Sequence, residues 1–287
     1  LIVKNEEKCL EKCLTSIKEA DEIIICDTGS DDKTIEIAKN FTDKIFTDYK
    51  WEDSFCKARN HALGKATGDW ILSIDADEEL EENGIKEIRE AIEVAEKNKL
   101  KTINCILVSD RRGDTHFFPR VFKKCPQVYW CGAIHNYLSV SESNNSNIKI
   151  FYGYSEAHAR DPDRAFRILK TEVEKNPKLC REKFYLAREY FYRQDYNTAI
   201  DWYKKYLEIA WWAPEMADAN YMLASCYLNL GDGSKARDYC LQALKINANF
   251  KEAIELLANL SGPGNKKRWL EFAKTATNEG ILFVKGE

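Results

Sequence analysis

No stretch of about 18 apolar residues occurs in this 287-residue chain, so no transmembrane helix is expected. A formal charge of −4 denies it the basic excess of a nucleic-acid binder. A signal-peptide pattern is also lacking. The chain opens at Leu1 inside what reads as a strand, without an initiator Met, so that silence says little about targeting. Ten cysteines are scattered along the length with no CxxC pair; Cys9 to Cys13 and Cys125 to Cys131 are the nearest spacings. A chain this long builds its own core without disulfide staples, so the thiols are expected to be reduced and half-buried in a cytoplasmic protein. Histidine is scarce, with four residues, and no glycine-rich phosphate loop ending in Lys-Ser/Thr is present. What is there, 44% hydrophobic and 31% charged residues, is the composition of a globular protein of one large domain or two modest ones.

Two halves with different periodicity make up the chain. In the first 80 residues short apolar runs alternate with helical patterns. Leu1-Ile2-Val3 ends a strand, and Cys9, Leu10, Cys13, Leu14 and Ile17 then recur at helical spacing between Glu6 and Lys18. Glu22 to Cys26 is a compact β-branched run that stops at Asp27-Thr28-Gly29-Ser30, where Ser30 is expected to cap a helix over Asp31 to Asn40. Lys44-Ile45-Phe46 reads as a third strand, Phe55 to Leu63 as a helix, and Trp70 to Ile74 as a fourth strand. Continuously apolar strands separated by helices imply a parallel sheet covered on both faces.

Ligands in open α/β sheets bind beyond the carboxyl ends of the strands. Three polar clusters fall there: Lys4-Asn5-Glu6, Asp27-Thr28-Gly29-Ser30 and Asp75-Ala76-Asp77. The last is an acid-x-acid triplet, suited to holding a hard divalent ion while orienting a ribose or a bound water. A calcium loop is excluded, because Leu80 and Lys86 stand where it needs glycine and an acid. Read alone, the triplet is equally an acidic turn leading into a helix around Glu78 to Glu82; the other two clusters argue against that.

Beyond Asp161 strand-like runs vanish. Leu223-Ala224 recurs as Leu257-Ala258, 34 residues on, and the segment containing Leu186-Ala187, Tyr190, Tyr196, Ala199 and Tyr203 is echoed 37 residues later. These are paired helices packed closely through small residues, in the pattern of the tetratricopeptide repeat. A third copy starts near Phe250 and is expected to break at Gly262-Pro263-Gly264.

Four motifs follow in order: Ile2 to Glu7, Asp21 to Thr34, Ala58-Arg59-Asn60-His61-Ala62-Leu63, and Ala66 to Glu78. Together they resemble the donor-binding half of family 2 glycosyltransferases. Over the whole chain the similarity extends to members joined to tetratricopeptide repeats, such as bacteriocin S-glycosyltransferases and lipooligosaccharide glycosyltransferases. The resemblance implies an α/β fold: a GT-A, Rossmann-like, mostly parallel sheet domain over residues 1–160, then an all-α tetratricopeptide-repeat domain over 161–287. It also implies a metal-dependent inverting glycosyltransferase using a UDP-linked nucleotide-sugar donor, Mn2+ or Mg2+, and a peptide, protein or glycan acceptor. Asn5, Glu6 and Asp27 would meet the nucleobase, Arg59 the nucleotide, Asp75 the ribose and Asp77 the metal.

His135 matches the family's Gly-x-Val/Ile-His-Glu motif, but Asn136 replaces the Glu and removes one candidate acid or base. His135 and His158 are candidates for the metal or the pyrophosphate; His61 and His116 are read as structural. An inverting transfer needs a carboxylate beside the acceptor, and Asp114 is taken for it with Asp110 as the alternative. Arg111, Arg112 and Arg120 are the ion-pair partners those acids would otherwise have. The aromatic stripe from Phe184 to Tyr206 is read as repeat core, and Trp211-Trp212 beside Pro214 as an exposed contact. The repeats would position the acceptor or build a homodimer. The competing reading is a repeat-based binding module whose first half holds a nucleotide-sugar without turnover.

Overall fold

The structure is a computed structural model that describes residues 1–110, 113, 115–153 and 161–277. It divides into two compact units, Leu1–Arg164 and Ala165–Glu287.

The first unit holds a three-stranded parallel sheet of β1 (Ile2–Val3), β2 (Ile25–Asp27) and β3 (Ile45–Phe46), with β2 in the middle and Val3 opposite Asp27. A five-stranded sheet follows in the order β4 (Trp70–Leu72), β7 (Thr115–Lys123), β6 (Thr102–Ser109), β10 (Ser143–Tyr152), β5 (Glu78–Leu80). Only β6 and β10 are parallel there; β4 runs antiparallel to β7. An apolar run such as Trp70 to Ile74 reports burial and is silent on a neighbour's direction, which is why β4 read as parallel. Both sheets share one core, in which Val3, Ile25, Ile74, Ile103 and Ile150 pack with Leu10, Cys13 and Leu14 of α1 (Leu10–Ser16) and Ile85 and Ile88 of α4 (Gly84–Lys97).

Two local expectations change. Helix α2 covers only Thr34–Ala38 and its N-cap is Lys33 with no side-chain bond, so Ser30 is not its cap. Glu78 to Leu80 is not helical but forms β5, paired with the end of β10, and Glu78 is buried. The acids at 78–82 look like a helix start only if the partner strand 70 to 74 residues away is ignored. Helix α3 (Phe55–Lys65) starts as its sequence suggests, with Ser54 capping through Lys57 N at 3.4 Å. All ten cysteines are unbridged.

The second unit is helical. After α5 (Arg164–Lys175) come α6 (Arg181–Tyr192) with α7 (Tyr196–Leu207), α8 (Ala213–Asn229) with α9 (Gly233–Ile246), and α10 (Lys251–Asn259) with α11 (Pro263–Ala273). The turns of the first two hairpins repeat the same bonds at the 37-residue offset. Asp195 N donates to Tyr190 O at 3.0 Å and Asp232 N to Tyr227 O at 2.9 Å. Gln194 and Gly231 both take positive φ, and the Asp195 and Asp232 carboxylates cap α7 and α9. The third copy is not broken at Gly262-Pro263-Gly264. Pro263 opens α11, where its missing N–H is lost to the helix in any case. Phe184, Tyr185, Tyr203 and Tyr206 are core, whereas Trp211 is 81% exposed. No helix among the described residues is long and apolar enough to cross a membrane.

Candidate functional site

The ends of β1 and β2 are clasped together by side chains. Asn5 adopts a left-handed backbone (φ 59), which asparagine tolerates because its short amide bonds locally. Its N–H donates to Ser30 Oγ at 2.9 Å, and its Oδ1 accepts from Asp31 N at 2.8 Å. Glu6 N donates to Thr34 Oγ1 at 2.7 Å. The buried Asp27 carboxylate accepts from Gly29 N at 2.9 Å, from Ser30 N at 3.0 Å and from Ser30 Oγ. Gly29 sits at φ +108, which a side chain would strain. Ser30, expected at a helix start, is instead the clasp between the two loops. Asp27 shapes the loop it was expected to serve from.

Asp75 belongs to a buried charge network. Its Oδ1 accepts from Arg59 Nη2 at 2.7 Å, and its Oδ2 lies 3.6 Å from Arg120 Nη1. Arg120 also pairs with Glu78, whose Oε2 accepts from Asp75 N at 2.8 Å. Arg120 on β7 thus meets Asp75 and Glu78. Burial pushes Asp75 up, but the Arg59 and Arg120 guanidinium charges outweigh it and hold the carboxyl at about 2. Glu78, sealed more deeply, is shifted the other way: burial raises it against the pull of Arg120, and the Asp75 charge adds to the rise. Two guanidinium groups and two carboxylates thus face one another, and the Asp75 side chain keeps 29% of its surface exposed.

Arg59 is braced from three directions. Besides Asp75, its Nη1 lies 3.3 Å from Ser73 Oγ and its Nε donates to Asn136 Oδ1 at 3.3 Å, while the Trp130 ring lies 5.2 Å from the guanidinium carbon. Asn136 closes a turn after β8 (Trp130–Cys131) in which Gly132 and His135 both have positive φ. His61 and His116 lie elsewhere: His61 meets Asp48 at 3.1 Å, and His116 packs edge-on against Tyr152 at 6.1 Å.

The remaining acids gather beside α1. Cys13 Sγ donates to Asp75 O at 3.2 Å, and Cys9 Sγ to Glu6 Oε2 at 3.2 Å. Burial and Glu6, with a smaller push from the Asp77 charge, raise the Cys9 thiol to about 12. Asp77 O accepts from Gly153 N at 3.1 Å, and Asp110 N donates to Tyr152 O at 3.1 Å. A Cβ on Gly153 would come within 3.6 Å of Asp110 Oδ2 and 3.8 Å of Asp77 O. Asp110 therefore stands next to the triplet. Asp114, Arg111, Arg112 and His158 lie outside the described residues. Among the described residues no three His, Cys, Asp or Glu side chains form a metal-holding group. A largely apolar cavity of about 200 Å³, lined by Leu1, Ile24, Trp70 and Ile88, extends to Arg59, Ser73 and Trp130. Sequence reasoning missed Glu78 as a buried partner and Asn136 as a brace; the adjacency of Glu78 to the triplet was the only signal for the first.

Residues 1–137 match the family model "Glycosyl transferase family 2", and residues 190–260 match "Tetratricopeptide repeat". The "SPbeta prophage-derived glycosyltransferase SunS" of Bacillus subtilis is 30% identical over 223 residues, covering 71% of this chain and 51% of that one. An "Uncharacterized glycosyltransferase" of Rickettsia bellii is 33% identical over 137 residues, 45% of this chain and 44% of its own. A "TPR repeat-containing protein" of Synechococcus elongatus is 46% identical over 98 residues, 33% of this chain and 24% of its own. The chain thus spans between about a quarter and a half of the length of these relatives. Its first 137 residues are similar to family 2 glycosyltransferases, and residues 190–260 to tetratricopeptide repeats.

Proposed function

We propose that the chain is a glycosyltransferase that moves a sugar from a nucleotide-sugar, UDP-linked, to a peptide, protein or glycan acceptor with inversion. The observation that carries this reading is the convergence of Asn5-Glu6, Asp27 and Asp75-Ala76-Asp77, far apart in sequence, around one clasped loop and one braced carboxylate. Asn5, Glu6 and Asp27 would frame the nucleobase and Asp75 the ribose. Arg59 serves the nucleotide through Asp75, since its donors are turned toward Asp75, Ser73 and Asn136.

Asp77 would hold Mn2+ or Mg2+, with His135 and His158 as further candidates. Asp75 is a poor ligand, because two guanidinium groups already claim its oxygens. One carboxylate fits a small hard cation that takes its other oxygens from water and substrate phosphates. When bound, the ion would neutralise charge on the departing diphosphate. The acceptor's nucleophilic atom forms a bond to the anomeric carbon, the bond to the diphosphate breaks, and a carboxylate takes the acceptor proton. Asp110, beside Asp77 and Gly153, suits that base; Asp114 is the other candidate. The repeats would present the acceptor or join two copies as a homodimer. Ten unbridged thiols suit a reducing, cytoplasmic setting.

Nucleotide release from a panel of UDP- and GDP-sugars with Mn2+ or Mg2+ tests the proposal. Metal-dependent release that disappears in Asp77→Ala is expected. Tight donor binding without release in the presence of peptide and glycan acceptors would replace it with the non-catalytic binding module.

A further inference from the structure

The turn that carries His135 and Asn136 is tied to the rest of its unit chiefly by side chains. Its strands, β8 and β9 (Tyr137–Leu138), pair with each other and with no other strand among the described residues. Asn60 clamps Trp130 through both amide atoms, donating to Trp130 O and accepting from Trp130 N, each at 2.9 Å. Phe55 N donates to Ala133 O at 2.8 Å. Asn136 then reaches in two directions. Its Nδ2 donates to Gly132 O and, at 3.5 Å, to Cys131 O, while its Oδ1 accepts from Arg59 Nε.

One guanidinium therefore meets the turn through Nε and Asp75 through Nη2. Guanidinium is a rigid plane with its donors in a fixed fork, so a shift of the partner at Nε rotates the plane and displaces Nη2 from Asp75. We propose that Asn136 is a positioning residue. Acting through Arg59, it sets the orientation of the Asp75 carboxylate and makes nucleotide binding at Asp75 and the setting of the 132–136 turn one coupled event. This rests on the reading of Asp75 as a donor contact. An amide suits the position because it offers an acceptor to Arg59 and donors to two carbonyls together. A carboxylate there would face those carbonyl oxygens with negative charge and would compete with Asp75 for Arg59.

Two measurements test the inference. In the first, UDP binding in Mn2+ is followed by titration calorimetry for the unsubstituted protein, Asn136→Ala, Asn136→Asp, Arg59→Lys and the Asn136→Ala/Arg59→Lys double variant. Asn136→Ala is expected to weaken UDP about fivefold, equivalent to one hydrogen bond. The double variant is expected to be no weaker than Arg59→Lys alone, and Asn136→Asp, whose carboxylate faces two carbonyl oxygens and competes with Asp75 for Arg59, to restore none of the affinity. Multiplying effects, or an Asn136→Ala protein that binds UDP normally, would overturn the proposal. In the second, Tm shifts are compared for Asn136→Ala, Asp75→Asn and both together. No hydrogen bond joins these two side chains, so non-additive shifts are expected only if Arg59 links them, and additive shifts overturn the linkage. Absence of UDP binding by the unsubstituted protein would sink the donor reading, and the Tm cycle alone then decides the linkage.

Discussion

Both units of the molecule bury arginine against carboxylate, and they do so to different ends. In the repeats Arg181 meets Glu215 at 3.0 Å and Arg188 meets Asp218 at 2.9 Å, each joining α6 to α8, with both carboxylates only 2% exposed. In the first unit Arg59 and Arg120 hold Asp75, which remains 29% exposed at the candidate site. A sealed pair fixes the register of two helices and has no surface left for a ligand. A pair with one open carboxylate face holds that group charged and aimed, and sealed Glu78 behind it pairs with Arg120. Exposure of the acid, more than the pairing itself, separates a structural ion pair from a candidate binding group.

The sharpest break of this comparison comes from Asp77→Ala, expected to lower metal-dependent nucleotide release by about two orders of magnitude or more, because charge on the leaving diphosphate loses its counterion. Asp218→Ala, measured in the same release assay at a temperature where it is folded, should retain turnover. If Asp218→Ala abolished release while folded, the division of labour drawn here would be wrong. Its effect belongs to stability: leaving the Arg188 charge buried without its carboxylate should cost about 3 kcal/mol in urea unfolding.

Acidity separates the units next. Glu22 in the first unit accepts from Lys44 Nζ, Thr67 N and Thr67 Oγ1, and these, the Lys44 bond foremost, hold it at about 2. Its contribution is complete above the unfolded value of about 4.3 and disappears as pH falls toward 2. Glu215 is displaced upward by burial, with Arg181 opposing. Its contribution is therefore complete below that unfolded value and is lost as pH rises through its folded pKa. Tm measured across pH should show Glu22→Gln flattening the acid limb and Glu215→Gln flattening the decline as pH rises above the unfolded value. Coincident profiles would show that neither group is coupled to folding as described.

The smallest effects compare two clasps. Ser30→Ala removes the hydroxyl between Asn5 N and Asp27, and Asp232→Ala removes the cap on Lys235 N. Each should cost about 1 kcal/mol in chemical unfolding. Only Ser30→Ala should also weaken UDP, by roughly threefold to tenfold. Equal nucleotide affinity in the two variants would remove the β1–β2 clasp from the binding site.

Much of this was readable in advance. The three polar clusters lie at strand ends because strand burial is written in runs of adjacent apolar residues. The repeat was readable because each hairpin is built from local bonds, so Tyr190, Gln194 and Asp195 reappear as Tyr227, Gly231 and Asp232 with the same contacts. Where local pattern misled, a distant partner was responsible. Ser30 looks like a helix cap until Asn5 and Asp27 claim it, and Glu78 looks like a helix start until β10 and Arg120 bury it. Pro263 looks like a breaker until it falls at a helix's first residue.

By itself, then, the sequence determined the two kinds of architecture, the order of the motifs and the acids at the strand ends, because each depends on spacings of a few residues. The tertiary structure decided which acids stay open and which are sealed. Arg59 lies 16 residues from Asp75 and 77 from Asn136, and Arg120 lies 42 from Glu78. Long-range charge pairing of that kind has no periodicity to read; it exists only once packing has excluded water from the groups that must then satisfy one another.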